Sequence, residues 1–238
     1  VTINLAQAVS LEQLELIERA ASRRATGEPL PYVTGTVGFR NLVLASDPRA
    51  LIPRPETEGL VDRALAVCPT GIAVDVGTGT GCVALALRQE GRYRSVVGIE
   101  IAPSTLGLAK ENRRRLGLDI ELVHGDLLTA FRAETADVVV ANPPYLSTVE
   151  YLAVDAGVRD YEPRGALVGG VDGLEPTREV LRQAATVVRR GGFVVIEVAA
   201  DRARESGEIA ARLGWRDVRI EDDLFGRPRY LSGQREAR

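Results

Sequence analysis

The sequence predicts an α/β fold in which a short N-terminal helix and a β-hairpin precede a seven-stranded sheet, mostly parallel, with an antiparallel last strand. Three observations carry this. From residue 72 onward short apolar runs alternate with helix-period segments, the pattern of a parallel sheet covered on both faces. A glycine-rich loop, Asp75-Val76-Gly77-Thr78-Gly79-Thr80-Gly81, follows the first of those runs and opens a helical segment. Near the C-terminus, Gly226 and Pro228 mark a turn between two apolar runs and so reverse the last strand.

The first element is a helix. Ser10-Leu11-Glu12-Gln13 has capping-box spacing, and Leu11, Leu14, Ile17 and Ala21 then recur on one helical face. Arg23 and Arg24 suit its C-terminal end, before Gly27 and Pro29 stop it. Residues 32–46 read as a hairpin: Tyr32-Val33-Thr34, then Val37 and Phe39, a turn near Arg40-Asn41, and Leu42-Val43-Leu44. Pro55 then sits in the first turn of a helix whose Leu60, Val61, Ala64 and Leu65 give the buried face. Strands are expected near 72–76, 95–100, 120–124, 136–141, 192–198, 217–221 and 229–232, and helices over 81–90, 103–116, 175–189 and 201–213. The domain reading is 1–28 for the helix, 29–50 for a hairpin linker and 51–238 for the sheet domain.

Composition bounds the function. The formal charge is −3, and Lys110 is the sole lysine, so the chain lacks the basic excess of a duplex-DNA binder. Cys68 and Cys82 are too few for a disulfide framework and lack metal-ligand spacing, and His124 is the only histidine. A two-histidine metal site is thereby excluded, and any chemistry must proceed without an imidazole base. No apolar stretch approaches a membrane span and no signal-peptide pattern opens the chain, which makes the cytoplasm the default address.

The chemistry gathers at strand ends. Val138-Val139-Val140-Ala141 is an apolar run that stops at Asn142-Pro143-Pro144-Tyr145. Pro143 cannot continue a ladder, and each proline holds the residue before it extended, so this segment leaves the sheet as a rigid loop. An extended Asn-Pro pair presents two acceptors, a side-chain and a main-chain carbonyl, that together suit an NH2 group, with Tyr145 as a flat neighbour. Taken alone the segment is only a stiff turn. Its company gives it weight. Gly77 to Gly81 form a backbone cradle, and Glu100 stands 19 residues further on, at the end of the next strand, where an acidic side chain can take both hydroxyls of a ribose. The dinucleotide spacing G-x-G-x-x-G fails at Cys82, which favours a nucleoside cofactor without a pyrophosphate. Asp126, past the third strand, can accept from an adenine amino group with Leu127 on the ring; it can equally be a turn aspartate. The carboxyl ends of four consecutive strands would bring Gly77, Glu100, Asp126 and Asn142 to one crevice.

With these residues in place the sequence resembles class I S-adenosylmethionine-dependent methyltransferases acting on a planar amide or amine nitrogen. Leu51-Ile52-Pro53-Arg54-Pro55-Glu56-Thr57-Glu58, Tyr161-Glu162-Pro163, Asp172-Gly173-Leu174 and Asp223-Leu224-Phe225-Gly226-Arg227 narrow this. Together they are similar to the release factor glutamine methyltransferases of the PrmC/HemK family, from about Gly27 to Gly233.

The resemblance implies a Rossmann-like class I methyltransferase sheet over 51–238, with 1–28 as the remnant of a helical substrate-docking domain. It implies that Gly77, Thr78, Gly79, Thr80, Gly81, Glu100, Asp126, Leu127 and Asn142 hold S-adenosylmethionine. Asn142, Pro143, Pro144 and Tyr145 would hold the target glutamine, with Asn142, Pro143 and Tyr145 catalytic and with Phe39 and Arg54 helping to close the pocket. The implied partner is a bacterial class I release factor, methylated on the side-chain nitrogen (N5) of its Gly-Gly-Gln glutamine. Two alternatives stay open: an adenine or cytosine amino methyltransferase on nucleic acid, and a glutamine methyltransferase of another protein, such as a ribosomal protein. The short, mixed-charge connection 146–174 disfavours the nucleic-acid target.

Overall fold

The computed structural model describes residues 9–237. Helix α1 (Leu11–Ala25) begins as its sequence requires: the Ser10 side chain accepts from the Gln13 N–H and Gln13 returns a bond to the Ser10 N–H, closing the capping box. None of its residues is buried, so its apolar face does not enter the core. The hairpin is shorter than expected. Residues 32–34 do not extend a strand but lie in a helical turn, α2 (Leu30–Thr34), with proline at its start and Gly35 at φ +72° ending it. Proline at the first helical positions and a left-handed glycine just past the end outweigh the β-preference of Tyr32-Val33-Thr34. The hairpin is then β1 (Thr36–Phe39) paired with β2 (Leu42–Ala45).

After α3 (Pro55–Val67) come β3 (Thr70–Val76), α4 (Cys82–Glu90), β4 (Arg92–Glu100), α5 (Pro103–Leu116), β5 (Glu121–His124) and β6 (Ala136–Ala141). The second half adds α6 (Thr148–Ala153), α7 (Ala156–Arg159), α8 (Glu175–Val187), β7 (Val188–Glu197), α9 (Ala203–Arg212), β8 (Trp215–Asp222) and β9 (Pro228–Arg235). Helix α8 stops two residues short of the expected 189 and β7 begins at once, because Val188 pairs with Ala136. The sheet order is β5-β4-β3-β6-β7-β9-β8. Strands β5, β4, β3, β6 and β7 run parallel, and β9 inserts antiparallel between β7 and β8.

The uninterrupted apolar run of β6 serves two cores. Side chains of a strand alternate between faces, and here Val139 and Ala141 join Val74, Val76, Val194 and Ile196 against α8 and α9. Val138 and Val140 join Ala73 and Val195 on the opposite face, against Leu60, Val61 and Ala64 of α3 and the buried side of α4. Both faces are covered, so polar alternation is absent. Leu60, Leu85 and Leu181 are wholly inaccessible, and each stabilises the fold by roughly 1.5–3 kcal/mol relative to exposure. Cys68 and Cys82 are both free and buried, and burial pushes the Cys82 thiol up to about 12.

Candidate active site

The alternation that builds the core also aims the site. Continuing β6 past Val138 and Val140 by the same two-residue step puts Asn142 on the α3 face, and continuing β7 past Val195 puts Glu197 there. In α3 the buried stripe Leu60, Val61 and Ala64 begins one turn earlier with Thr57. The three side chains meet: Asn142 Nδ2 donates to Thr57 Oγ1 at 3.0 Å, and Thr57 Oγ1 donates to Glu197 Oε2 at 2.8 Å. Glu197 is 1% exposed. Burial raises its carboxyl to about 7, against the lowering effect of the Thr57 bond.

On the other side of the sheet's carboxyl edge the glycine loop is pinned by backbone bonds. The N–H groups of Gly77 and Thr78 both donate to the Ile99 carbonyl at 2.9 Å, and Gly77, Gly79 and Gly81 take φ of +69°, +59° and +84°. Those dihedrals belong to glycine, and a side chain there would be strained. Glu100 receives the Gly79 N–H on Oε2 at 3.1 Å and the Ala102 N–H on Oε1 at 3.0 Å. A carboxylate offers about four lone-pair sites, so Glu100 braces the loop and keeps acceptor capacity for a ligand. Asp75, fully enclosed beneath the loop, accepts from Thr78 Oγ1 at 2.6 Å and the Ala84 N–H at 3.1 Å, and burial lifts its carboxyl to about 6. Asn112, wholly buried on α5, donates to the carbonyls of Ala45 and Thr80 and accepts the Ala45 N–H, tying β2 to the loop.

These elements enclose a cavity of about 410 Å³, within the range of small-molecule sites. The structure brings Gly77, Gly79, Glu100, Asp126 and Leu127 into its wall, with Asn142, Pro143 and Pro144 facing them. Leu127 holds φ +48°, an uncommon conformation for a leucine that no sequence motif announces. Further wall comes from Arg49 to Leu51 ahead of α3, from Pro163, Gly165 and Ala166 in the connection after β6, and from the starts of α5 and α8. Arg54 reaches that connection through Glu162 rather than lining the wall itself.

Several expected residues lie elsewhere. Thr78 and Thr80 are buried away from the cavity, Thr78 on Asp75, and Gly81 starts α4 behind the loop. Phe39 does not line the pocket. It is 1% exposed within the α3–α4 core, because Arg40 at the hairpin turn pairs with Glu90 at the end of α4 remote from the glycine loop. Tyr145 stands beside the wall, partly buried; burial first and the Glu197 charge second raise its phenol above the ordinary value. Glu197 escapes the sequence-level motif reading altogether, and Thr57 enters it only as a member of the Leu51–Glu58 run with no role of its own, although the helical stripe at Leu60, Val61 and Ala64 is a signal for its burial. Among the described residues no group of acidic, histidine or cysteine side chains is placed to hold a metal ion.

The strand order, with an antiparallel β9 between β7 and β8, and the cavity at the carboxyl ends of β3, β4, β5 and β6 define a Rossmann-like class I methyltransferase. Residues 57–158 match the family model described as methyltransferase small domain. The release factor glutamine methyltransferase of Geobacter sulfurreducens is 35% identical over 233 residues, spanning 98% of this chain and 82% of its own. That of Nitratidesulfovibrio vulgaris is 37% identical over 227 residues, spanning 92% and 77%. The chain belongs to the release factor glutamine methyltransferase family. Among solved structures, a Pyrococcus furiosus methyltransferase shares the fold with a TM-score of 0.63 at 18% identity, covering 96% of this chain and 100% of its own. The E. cuniculi Mtq2–Trm112 complex, responsible for methylation of the eRF1 translation termination factor, does so at 0.59 and 24% identity, covering 79% of this chain and 99% of its own.

Proposed function

We propose that this protein transfers the methyl group of S-adenosylmethionine to the side-chain amide nitrogen of a protein glutamine, that of the Gly-Gly-Gln loop in a bacterial class I release factor. The single observation that carries the reading is the placement of Asn142 and Pro143 across one cavity from Gly77 and Glu100. A planar-nitrogen grip and a nucleoside cradle then face each other, in a chain of this family.

The cavity suits the cofactor. A Cβ at Gly77 would meet nothing within 4 Å and one at Gly79 only the Gly77 carbonyl at 3.9 Å, so both glycines face open space that a side chain would fill. Glu100 and Asp126 would take ribose hydroxyls and the adenine amino group, with Leu127 against the ring. When bound, S-adenosylmethionine supplies an electrophilic methyl group on a sulfonium.

The chain's own residues orient the nucleophile. An amide nitrogen is a poor nucleophile because its lone pair is delocalised into the carbonyl. Asn142 Oδ1 and the Pro143 carbonyl would each accept one of its N–H bonds, hold it in line and stabilise the positive charge it develops. Residues 51–238 act as the catalytic unit. Residues 1–28 serve protein docking, a reading supported by the exposure of Leu11, Leu14 and Ile17 on α1. A formal charge of −3 disfavours direct nucleic-acid binding. Among the described residues no helix is long and apolar enough to cross a membrane; the cytoplasmic address is supported by the proposed translation-factor substrate.

The test is methyl transfer from labelled S-adenosylmethionine to purified release factor, beside a factor whose Gly-Gly-Gln glutamine is alanine. Label on the unaltered factor alone is expected. Label on both, or on neither while the cofactor binds, overturns the glutamine assignment.

A further inference from the structure

Asn142 can grip a substrate amide only if its carbonyl oxygen, and not its NH2 group, faces the cavity. Nothing in the Asn-Pro-Pro-Tyr loop enforces that choice, since the two ends of a carboxamide have nearly the same shape. The enforcing groups lie behind the loop. A threonine hydroxyl has one proton to give, and Thr57 Oγ1 stands between Glu197 Oε2 at 2.8 Å and the Asn142 carboxamide at 3.0 Å. An ionised Glu197 only accepts, so it takes the Thr57 proton. Thr57 is left to accept from Asn142, and the group it accepts from must be the NH2.

We propose that Thr57 and Glu197 are positioning residues for methyl transfer, which set the polarity of the Asn142 carboxamide so that its Oδ1 faces the substrate. This deepens the glutamine reading and rests on it. Neither residue lines the cavity, so each would act through Asn142, which does.

The arrangement is responsive to pH. If Glu197 takes up a proton it becomes a donor to Thr57, the Thr57 hydroxyl proton is freed toward Asn142, and the carboxamide turns its NH2 into the cavity. Glu197 is faced by Arg54 and Glu56 at the start of α3, Tyr145 from the loop after β6, Arg229 and Tyr230 on β9, and Cys82 of α4. Burial dominates these and places the transition at about 7.

The experiment compares wild type with Thr57→Ser, Thr57→Val and Glu197→Gln, using release factor as methyl acceptor and measuring cofactor affinity separately. Thr57→Val is expected to lower kcat by about tenfold to a hundredfold, the scale of lost orientation, while cofactor Kd is unchanged. Thr57→Ser should restore kcat, because the hydroxyl returns. Wild-type kcat should fall as pH drops below about 7, and Glu197→Gln, which has no proton to titrate in this range, should lose that dependence. Equal kcat in the valine and serine variants, or the same acid limb in wild type and Glu197→Gln, overturns the proposal; the second comparison stands even if Thr57→Val does not fold. If wild type labels no release factor, the functional reading fails, and the relay is then judged on the Asn142 side-chain amide protons. Slow solvent exchange in wild type and fast exchange in Thr57→Val are expected. Equal rates overturn it.

Discussion

Arg54 and Glu162, 108 residues apart in the chain, meet at 2.5 Å, and the other oxygen of the same carboxylate accepts the Ile52 N–H at 3.2 Å. Glu162 thereby clasps the segment leading into α3 to the connection that supplies Pro163, Gly165 and Ala166 to the cavity wall. The Glu162 side chain is 1% exposed and that of Arg54 33%. Removing the carboxylate would leave the Ile52 N–H without its partner while Arg54 could still turn to water.

Glu162→Ala should therefore destabilise the protein by about 1–3 kcal/mol, the cost of leaving a buried donor unsatisfied. Because the clasp shapes the wall, cofactor affinity should fall along with stability. Urea denaturation and calorimetric titration of the cofactor check both. Unchanged affinity with lowered stability would show that the clasp supports the fold and not the cavity.

Asn142→Ala separates gripping from binding. It removes one of the two acceptors proposed for the substrate amide, and the loss of a single oriented partner for developing charge costs about 10²–10³ in kcat. Cofactor affinity should stay near wild type, since Gly77, Gly79 and Glu100 remain in place. Turnover at the wild-type level would remove Asn142 from the mechanism.

Glu100 has two structural bonds to lose, at Gly79 and Ala102, as well as the ribose contact proposed for it. Glu100→Ala should weaken the cofactor by about 1.5–3 kcal/mol for a charged hydrogen bond. Glu100→Gln should fall between, keeping an acceptor oxygen and losing the charge. Titration of the three proteins with cofactor gives the order. Equal affinities would place the ribose contact elsewhere.

Most of the sheet was legible because buried parallel strands are short apolar runs, and Val138 to Val140 or Val194 to Ile196 admit no other reading once both faces are covered. The carboxyl-end crevice was legible too, since strand ends carry their own polar residues. What the sequence hid was pairing across the sheet. Thr57 and Glu197 are 140 residues apart, and only the order β6 beside β7, with α3 lying across that face, makes them neighbours. Within the glycine loop, residue spacing could not tell the glycines that face the cavity from Thr78, whose hydroxyl turns inward to Asp75. Phe39 was misplaced for a related reason. A hairpin's sequence fixes its register and not the side of the domain to which its turn is tied.

Gly169 supports the Asn-Pro-Pro-Tyr loop by having no side chain. A Cβ there would come within 2.4 Å of the Pro144 carbonyl oxygen and 3.0 Å of the Gly173 carbonyl oxygen, both backbone atoms with little room to yield. The Gly169 N–H donates to the Leu146 carbonyl at 2.7 Å, and the Leu146 N–H to Leu167 at 3.0 Å, so a shift at 169 is passed to the loop. Gly169→Ala should cost about 1–3 kcal/mol, the range for overpacking, and should lower kcat more than cofactor affinity. Gly38→Ala, where a Cβ meets nothing within 4 Å, is the control and should match wild type in both respects.

Burial of Glu197 also makes a statement about stability. Its carboxyl is raised from 4.5 to about 7 in the folded protein, so the folded state holds this proton more tightly than the unfolded chain. Between those pH values the native state binds more protons than the unfolded state, and stability must fall as pH rises. The full effect is about 3 kcal/mol from the size of that shift, absent below the unfolded value and complete above the folded one. Asp75, raised by burial to about 6, adds a slope of the same sign. In Glu197→Gln the Asp75 contribution persists and the Glu197 contribution disappears. Chemical denaturation of both proteins at intervals across this range should show the variant gaining on wild type as pH increases, with the difference levelling off above about 7. A constant difference at every pH would mean that Glu197 ionises as readily in the folded protein as in the unfolded chain, and the acid limb expected for methyl transfer would then need another titrating group.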